Sequence, residues 1–124
     1  MLRGRSRPEP IMSIDIPLTM PFVHLLGIAE ICTTAGVIHG GALMAFADSL
    51  GALCAFMNLP AGATTATIES KTNFFRPVTK GAVHGTTTPL HVGRTTIVAQ
   101  TDLRDDAGKR VALVTQTQAV INRA

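Results

Sequence analysis

The chain has 124 residues, 46% of them hydrophobic and 15% charged, which suits one folded domain and excludes both a disordered chain and a two-domain protein. Eleven Lys and Arg against eight Asp and Glu give a net charge of +3, and because Arg3, Arg5 and Arg7 sit in a short Pro-containing leader, nucleic-acid binding is not implied. The low charge density points instead to a surface buried against a second copy.

Residues 1–21 are expected to form a partly disordered leader before a single domain at 22–124. The leader lacks the apolar stretch of a secretory signal, and the cytoplasm is the expected location, with organelle targeting by the leader's arginines as the alternative. Phe22 to Ile31 predicts a first strand. Cys32 and Cys54 have no metal-site or disulfide spacing and are expected to be buried, reduced thiols.

Next comes Gly36-Val37-Ile38-His39-Gly40-Gly41, followed by an apolar run that reaches Met57. His39 and Asp48 are the only acidic or basic side chains between Glu30 and Glu69. A lone carboxylate in such a run needs a hydrogen-bond network, a shifted pKa or a function to account for it. The run is nearly long enough to span a bilayer. Asp48 would cost about 2.5 to 3.5 kcal/mol at the centre of such a span, and no basic or aromatic flanks accompany it. A helix apolar on every side, with strands after it, is expected at the centre of a sheet-wrapped core.

Ala66 to Phe75, Ala82 to Val92, Thr95 to Arg104 and Arg110 to Ile121 are rich in Thr, Val and Ile and predict four more strands. Turn residues separate them at Pro77 to Gly81, at Val92-Gly93-Arg94 and at Asp105-Asp106-Ala107-Gly108. Strand, long helix and four strands joined by short turns make an α+β domain, an antiparallel sheet on one helix.

These residues resemble a known family. Gly36-Val37-Ile38-His39-Gly40-Gly41, Asp48 eight residues beyond Gly40, Thr67 ahead of Asn73-Phe74-Phe75-Arg76-Pro77, the Gly93-Arg94 turn and the Asp-Asp-Ala-Gly-Lys hairpin are similar to the hotdog-fold thioesterases of the phenylacetate-degradation (PaaI-type) group. The similarity runs from about Phe22 to Ile121. It implies a hotdog fold, hydrolysis of acyl-coenzyme A thioesters by a dimer or a dimer of dimers (a homotetramer), and no metal or redox cofactor, coenzyme A being part of the substrate.

The chemistry of the residues is consistent with that implication. Thioester hydrolysis needs an oxyanion stabiliser and either a nucleophile or a base that activates water. Gly40, at the helix start, offers an amide N–H without an intrahelical partner and room for close approach. Asp48 offers the carboxylate, to attack and form a mixed anhydride or to deprotonate water. Eight residues of helix separate the two by roughly 12 Å, so one chain cannot place both on one carbonyl. Two antiparallel copies would, and the resemblance implies the same arrangement.

Thr67 matches the family's Ser/Thr position and is a candidate to hydrogen-bond Asp48 or the lytic water. Thr33 stands where relatives often carry Asn or Gln, a departure that shortens the reach of any water-orienting group there. His39 is a candidate either to polarise the thioester or to fix its loop through a buried hydrogen bond, with backbone carbonyls as expected partners. His24, His84 and His91 show no metal-ligand spacing and no partner acid. Arg76, Lys80 and Arg94 are candidate contacts for coenzyme A phosphates. Two other readings stand beside the thioesterase: a hotdog hydratase or dehydratase, and a non-catalytic acyl-CoA binding or sensing protein.

Overall fold

The computed structural model describes residues 12–17 and 36–123. The expected strand at Phe22–Ile31, and Thr33, Cys32 and His24, lie outside the described residues. Among the described residues five strands and one helix follow in the order β1 (Met12–Pro17), α1 (Gly40–Met57), β2 (Thr64–Phe74), β3 (Ala82–Val92), β4 (Thr96–Arg104) and β5 (Arg110–Ile121). The strands form one sheet in the order β1-β3-β4-β5-β2, and every pairing is antiparallel. This one-helix, antiparallel-sheet arrangement is the hotdog fold.

Met12–Pro17 was assigned to the leader on sequence grounds, yet it pairs with β3 from Met12↔Thr87 to Pro17↔Ala82. The alternation Met-Ser-Ile-Asp-Ile is a strand signal of period two, which the surrounding prolines and arginines obscure. Pro89 lies in β3 at an irregularity of the β4 pairing, between Pro89 and His91, the kind of position in a sheet that tolerates a proline.

The helix buries Leu43, Phe46, Ala47, Leu50, Gly51, Cys54 and Ala55, positions spaced three and four residues apart that make one face. That face lies on Val83, Leu103, Val111, Ala112 and Val114 of the sheet, each large side chain contributing about 1.5–3 kcal/mol by its removal from water. On a single chain the helix is not covered all round, in contrast to the expectation. Met44, Phe56 and Met57 are exposed. Although α1 has the length and hydropathy of a membrane span, its buried face belongs to the sheet. Burial pushes the free Cys54 thiol above its ordinary pKa, as expected for a reduced thiol in a core.

Two glycines set how closely the layers meet. A Cβ at Gly51 would overlap the Gln116 amide, and one at Gly85 would overlap Leu50 and crowd Phe46 and Leu103. The β4–β5 hairpin closes as its residues predict. Asp105 Oδ1 accepts from the amides of Ala107 and Lys109, and Gly108 takes a φ of 77°, the left-handed conformation that glycine adopts without strain.

The close contact at Gly85 can be tested. Gly85→Ala should lower stability by about 1–3 kcal/mol through overpacking, read as a lower urea midpoint at unchanged slope. Unchanged stability would show that α1 can move off the sheet at no cost.

Candidate active site

The resemblance pointed to the helix start and to Asp48, and each gathers its own neighbours. At the start, His39 is the N-cap in extended conformation, and its Nδ1 accepts from Gly41 N at 2.9 Å. An accepting Nδ1 places the neutral ring's proton on Nε2, a remaining donor. The loop-fixing role expected for His39 is thus seen in altered form. The bond is exposed rather than buried and its partner is an amide N–H rather than a carbonyl, because the first turn of a helix presents unsatisfied donors. The Gly40 N–H makes no hydrogen bond among the described residues.

Beside it is a pocket of about 350 Å³ lined by Val37, Ile38, Leu43, Phe74, Phe75 and Pro77, with Gly40 and Arg76. A bridge from Ile38 N to Val78 O, 2.9 Å, ties the loop before the helix to the segment after β2 and so holds the pocket's two walls together. A Cβ on Gly40 would lie 3.2 Å from Phe74 Cζ. Glycine at that position leaves the amide open beside the ring.

Asp48 makes the second group. It is half-buried on α1, and its Oδ1 accepts from Thr67 Oγ1 at 3.3 Å. Thr67 Oγ1 accepts in turn from Gln118 Nε2 at 2.8 Å. One rung away, Gln116 Nε2 donates to the Asp48 backbone carbonyl at 3.4 Å, and its Oε1 is buried without a partner. Both glutamines are 1% exposed, so the sheet meets the helix's one acid with two buried amides. Neither was a sequence candidate. The available signal was phase: Gln116 and Gln118 share the strand face of Val114 and Val120, which are buried.

A bulge shapes this wall. Thr67 pairs with Gln118 and Glu69 with Thr117, leaving Ile68 as the extra residue. Directly opposed residues share a face, so Thr65 and Thr67 face the helix before the bulge, and Ser70, Thr72 and Phe74 after it. Without the bulge Glu69, Lys71 and Asn73 would turn inward. This extra residue therefore brings both Thr67 to Asp48 and Phe74 to Gly40.

The three basic candidates do not form one cluster. Arg76 borders the pocket, and Lys80 lies four residues on, just before β3. Arg94 follows the other end of β3, whose eleven residues put it roughly 35 Å from Lys80. His84 differs from expectation too. Its Nε2 lies 2.7 Å from Asp106 Oδ1, an acid brought across by the β4–β5 hairpin. That hydrogen bond, with one from Ala82 N–H, holds the Asp106 carboxyl below its ordinary pKa. Among the described residues no group of His, Cys, Asp and Glu is arranged to hold a metal ion.

Residues 35–112 match the thioesterase superfamily. The chain belongs to that superfamily. Its class of reaction is thioester hydrolysis, which the hydratase and sensor readings do not share. Proofreading thioesterase EntH of Cronobacter turicensis is 30% identical over 118 residues, covering 95% of this chain and 77% of that protein. A thioesterase of Haemophilus influenzae superposes with a TM-score of 0.77 at 29% identity, over 89% of this chain and 71% of that one. A phenylacetic acid degradation-related protein from Ralstonia eutropha JMP134 does so with a TM-score of 0.68 at 30% identity, over 73% and 67%.

The cap gives the second prediction. His39→Ala should destabilise the fold by about 0.5–2 kcal/mol, whereas His39→Asn, which keeps a capping acceptor, should stay within a few tenths of wild type. Equal loss in both variants on thermal or urea unfolding would mean that the cap bond contributes nothing.

Proposed function

We propose that this superfamily member hydrolyses acyl-coenzyme A thioesters to a free acid and coenzyme A, at sites built by two copies of the chain. The observation that carries this reading is the separation of the two groups above. Asp48 with Thr67 and Gln118, and Gly40 with His39 and the Phe74 pocket, lie about 12 Å apart along one helix. Neither group alone is an active site. An antiparallel second helix sets the partner's Gly40 beside Asp48, and the twofold axis makes two equivalent sites.

The exposed surface supports pairing there. Among the described residues β2 is an edge strand bonded only to β5, and it exposes Ile68; Phe74 and Phe75 are exposed at its end, and Met44 on the adjoining helix. Long edge strands with apolar side chains are usually covered. The dimer is the smallest active unit in this reading, and a dimer of dimers repeats it.

In each site Thr67 holds Asp48 Oδ1, and Oδ2 is left to the reaction. Asp48 deprotonates a water that attacks the thioester carbonyl, or attacks it directly to give a mixed anhydride that water then opens. The negative charge that develops on the carbonyl oxygen is met by the Gly40 N–H at the positive end of the helix dipole. Collapse of the tetrahedral intermediate breaks the carbon–sulfur bond and releases coenzyme A. The pocket between Leu43, Phe74 and Phe75 takes an apolar group next to the carbonyl, and Arg76 and Lys80 at the same end are placed for phosphate. Thr33, in this reading, supplies a short hydroxyl in place of a water-orienting amide. No metal or redox cofactor enters the proposal.

Release of free thiol from a panel of aromatic and straight-chain acyl-CoAs tests the substrate class. Turnover of other thioesters with none of any acyl-CoA would overturn it. Asp48→Asn should keep fold and oligomer while lowering turnover by at least about 100-fold, the scale of losing an acid–base or nucleophilic group. Near wild-type hydrolysis by the folded variant would remove Asp48 from the reaction.

The shared site has a separate test. Mixed dimers of Asp48→Asn with Gly40→Val chains collect both lesions in one site and none in the other. Such dimers should recover about half the wild-type activity, whereas a site contained in one chain would stay silent after subunit exchange.

A further inference from the structure

Gln118 is a core amide to which the mechanism above gives no task. It is 1% exposed on β5, opposite Thr67 in the register, and a buried amide is costly unless both of its ends are bonded. Both are. Its Nε2 donates to Thr67 Oγ1 at 2.8 Å, and its Oε1 accepts from Thr65 Oγ1 at 3.2 Å.

We propose that Gln118 is a positioning residue for thioester hydrolysis, fixing the single hydroxyl proton of Thr67 on Asp48. The proposal rests on Asp48 being the reactive carboxylate.

Its physical basis is the direction of the hydrogen bonds. A threonine hydroxyl has one proton to give, and an ionised carboxylate only accepts. Thr67 Oγ1 lies within reach of both Asp48 Oδ1 and the end of the Gln118 amide. With the amide nitrogen toward Thr67, the hydroxyl lone pair is occupied and the proton points to Asp48. Turned end for end, the amide oxygen would claim that proton, and two electron-rich oxygens would face each other at 3.3 Å. Thr65 does not set the sense, because its one proton is shared between the Ala119 carbonyl at 2.9 Å and Gln118 Oε1 at 3.2 Å; the Asp48 carboxylate, which can only accept, sets it.

The chain Gln118 to Thr67 to Asp48 is therefore polar in one sense, running from a buried amide to a carboxylate at the protein's surface. Thr67 is exposed on a single chain and its bond to Asp48 is long. Alone, the hydroxyl would exchange between Asp48 and water. The buried amide is what keeps it on the carboxylate, holding Oδ1 and aiming Oδ2. The bulge just beyond Thr67 confines this arrangement to the end of β2 that carries the two threonines.

A double-mutant cycle on the full chain, with free-thiol release from the acyl-CoA turned over fastest as readout, tests the inference. Gln118→Met should lower kcat by about 10-fold with KM changed less than about twofold, and in a Thr67→Ala background the same substitution should change kcat by less than about twofold. Thr67→Ser, which keeps the hydroxyl, should stay within about threefold of wild type. A folded Gln118→Met with unchanged kcat, or an equal loss in both backgrounds, would overturn the relay. Should Gln118→Met not fold, Gln118→Glu keeps the shape but presents an acceptor to Thr67. Its kcat should fall at least as far, and only where Thr67 is present; a loss that persists in Thr67→Ala would again overturn it. Asp48→Asn measured in parallel separates the two levels, since activity there defeats the role of Asp48 itself, whereas inactivity with an additive cycle defeats Gln118 alone.

Discussion

A carboxylate halfway along a helix that lies on a sheet must be met by polar groups from that sheet, and this requirement organises the molecule. Asp48 sits among buried apolar neighbours on α1. Water alone does not solvate it, because the residue is half-buried. The sheet answers with Thr67 on the side chain and Gln116 on the backbone. For those groups to reach, helix and sheet must be close, and Gly51 allows that by leaving room for the Gln116 amide. Further along, Gly85 does the same for Leu50 and Phe46. The polar contacts and the tight packing thus require each other. Had α1 stood a side chain's width higher, the core would gain volume and Asp48 would lose its partners.

The buried amides are retained at a cost. Replacing polar core groups with apolar ones of like shape is often neutral or stabilising, and Gln116 even leaves an oxygen unbonded. A strand written only for stability would carry Val or Leu at both positions, as it does at Val114 and Val120. Their presence under the one helical acid is easier to understand as service to that acid than as core packing. Thr87 and Thr101 make a useful contrast. These two hydroxyls are buried and bonded to each other at 2.7 Å, a closed pair that serves nothing beyond itself.

Much of this was legible in the residues, for identifiable reasons. β3 and β5 begin and end where the Thr and Val runs do; the Gly93 turn, closed by Gly93 N–H to Thr96 O, ends β3, and the Asp105 to Gly108 turn sets the start of β5. Asp48 stood out by isolation, and Thr67 by its place in the resemblance. Gln118 did not, since Thr115-Gln116-Thr117-Gln118 is polar at every position, and the one signal, its phase with Val114 and Val120, competes with the apolar Leu113 and Ala119 on the opposite phase. β1 was hidden for a different reason: six residues of alternation are too short to outweigh their neighbours. His84 and Asp106 lie 22 residues apart in sequence, and a local pattern carries no information about such a pair.

The bulge in β2 also explains why one chain looks unfinished. Before it, Thr65 and Thr67 serve Asp48; after it, Thr72 and Phe74 turn to the helix's other end. A regular strand could have served one group or the other, because inward positions would then continue to Glu69 and Lys71, charges with no partner in a core. One inserted residue lets the same strand line both halves. Those halves are separated by a fixed length of helix, and no side-chain rotamer closes roughly 12 Å. Among the described residues the strand that carries them is the sheet's edge, with Ile68 at the bulge exposed. The geometry that divides the site on one chain is thus also the geometry that presents both halves, on one exposed border, to a second.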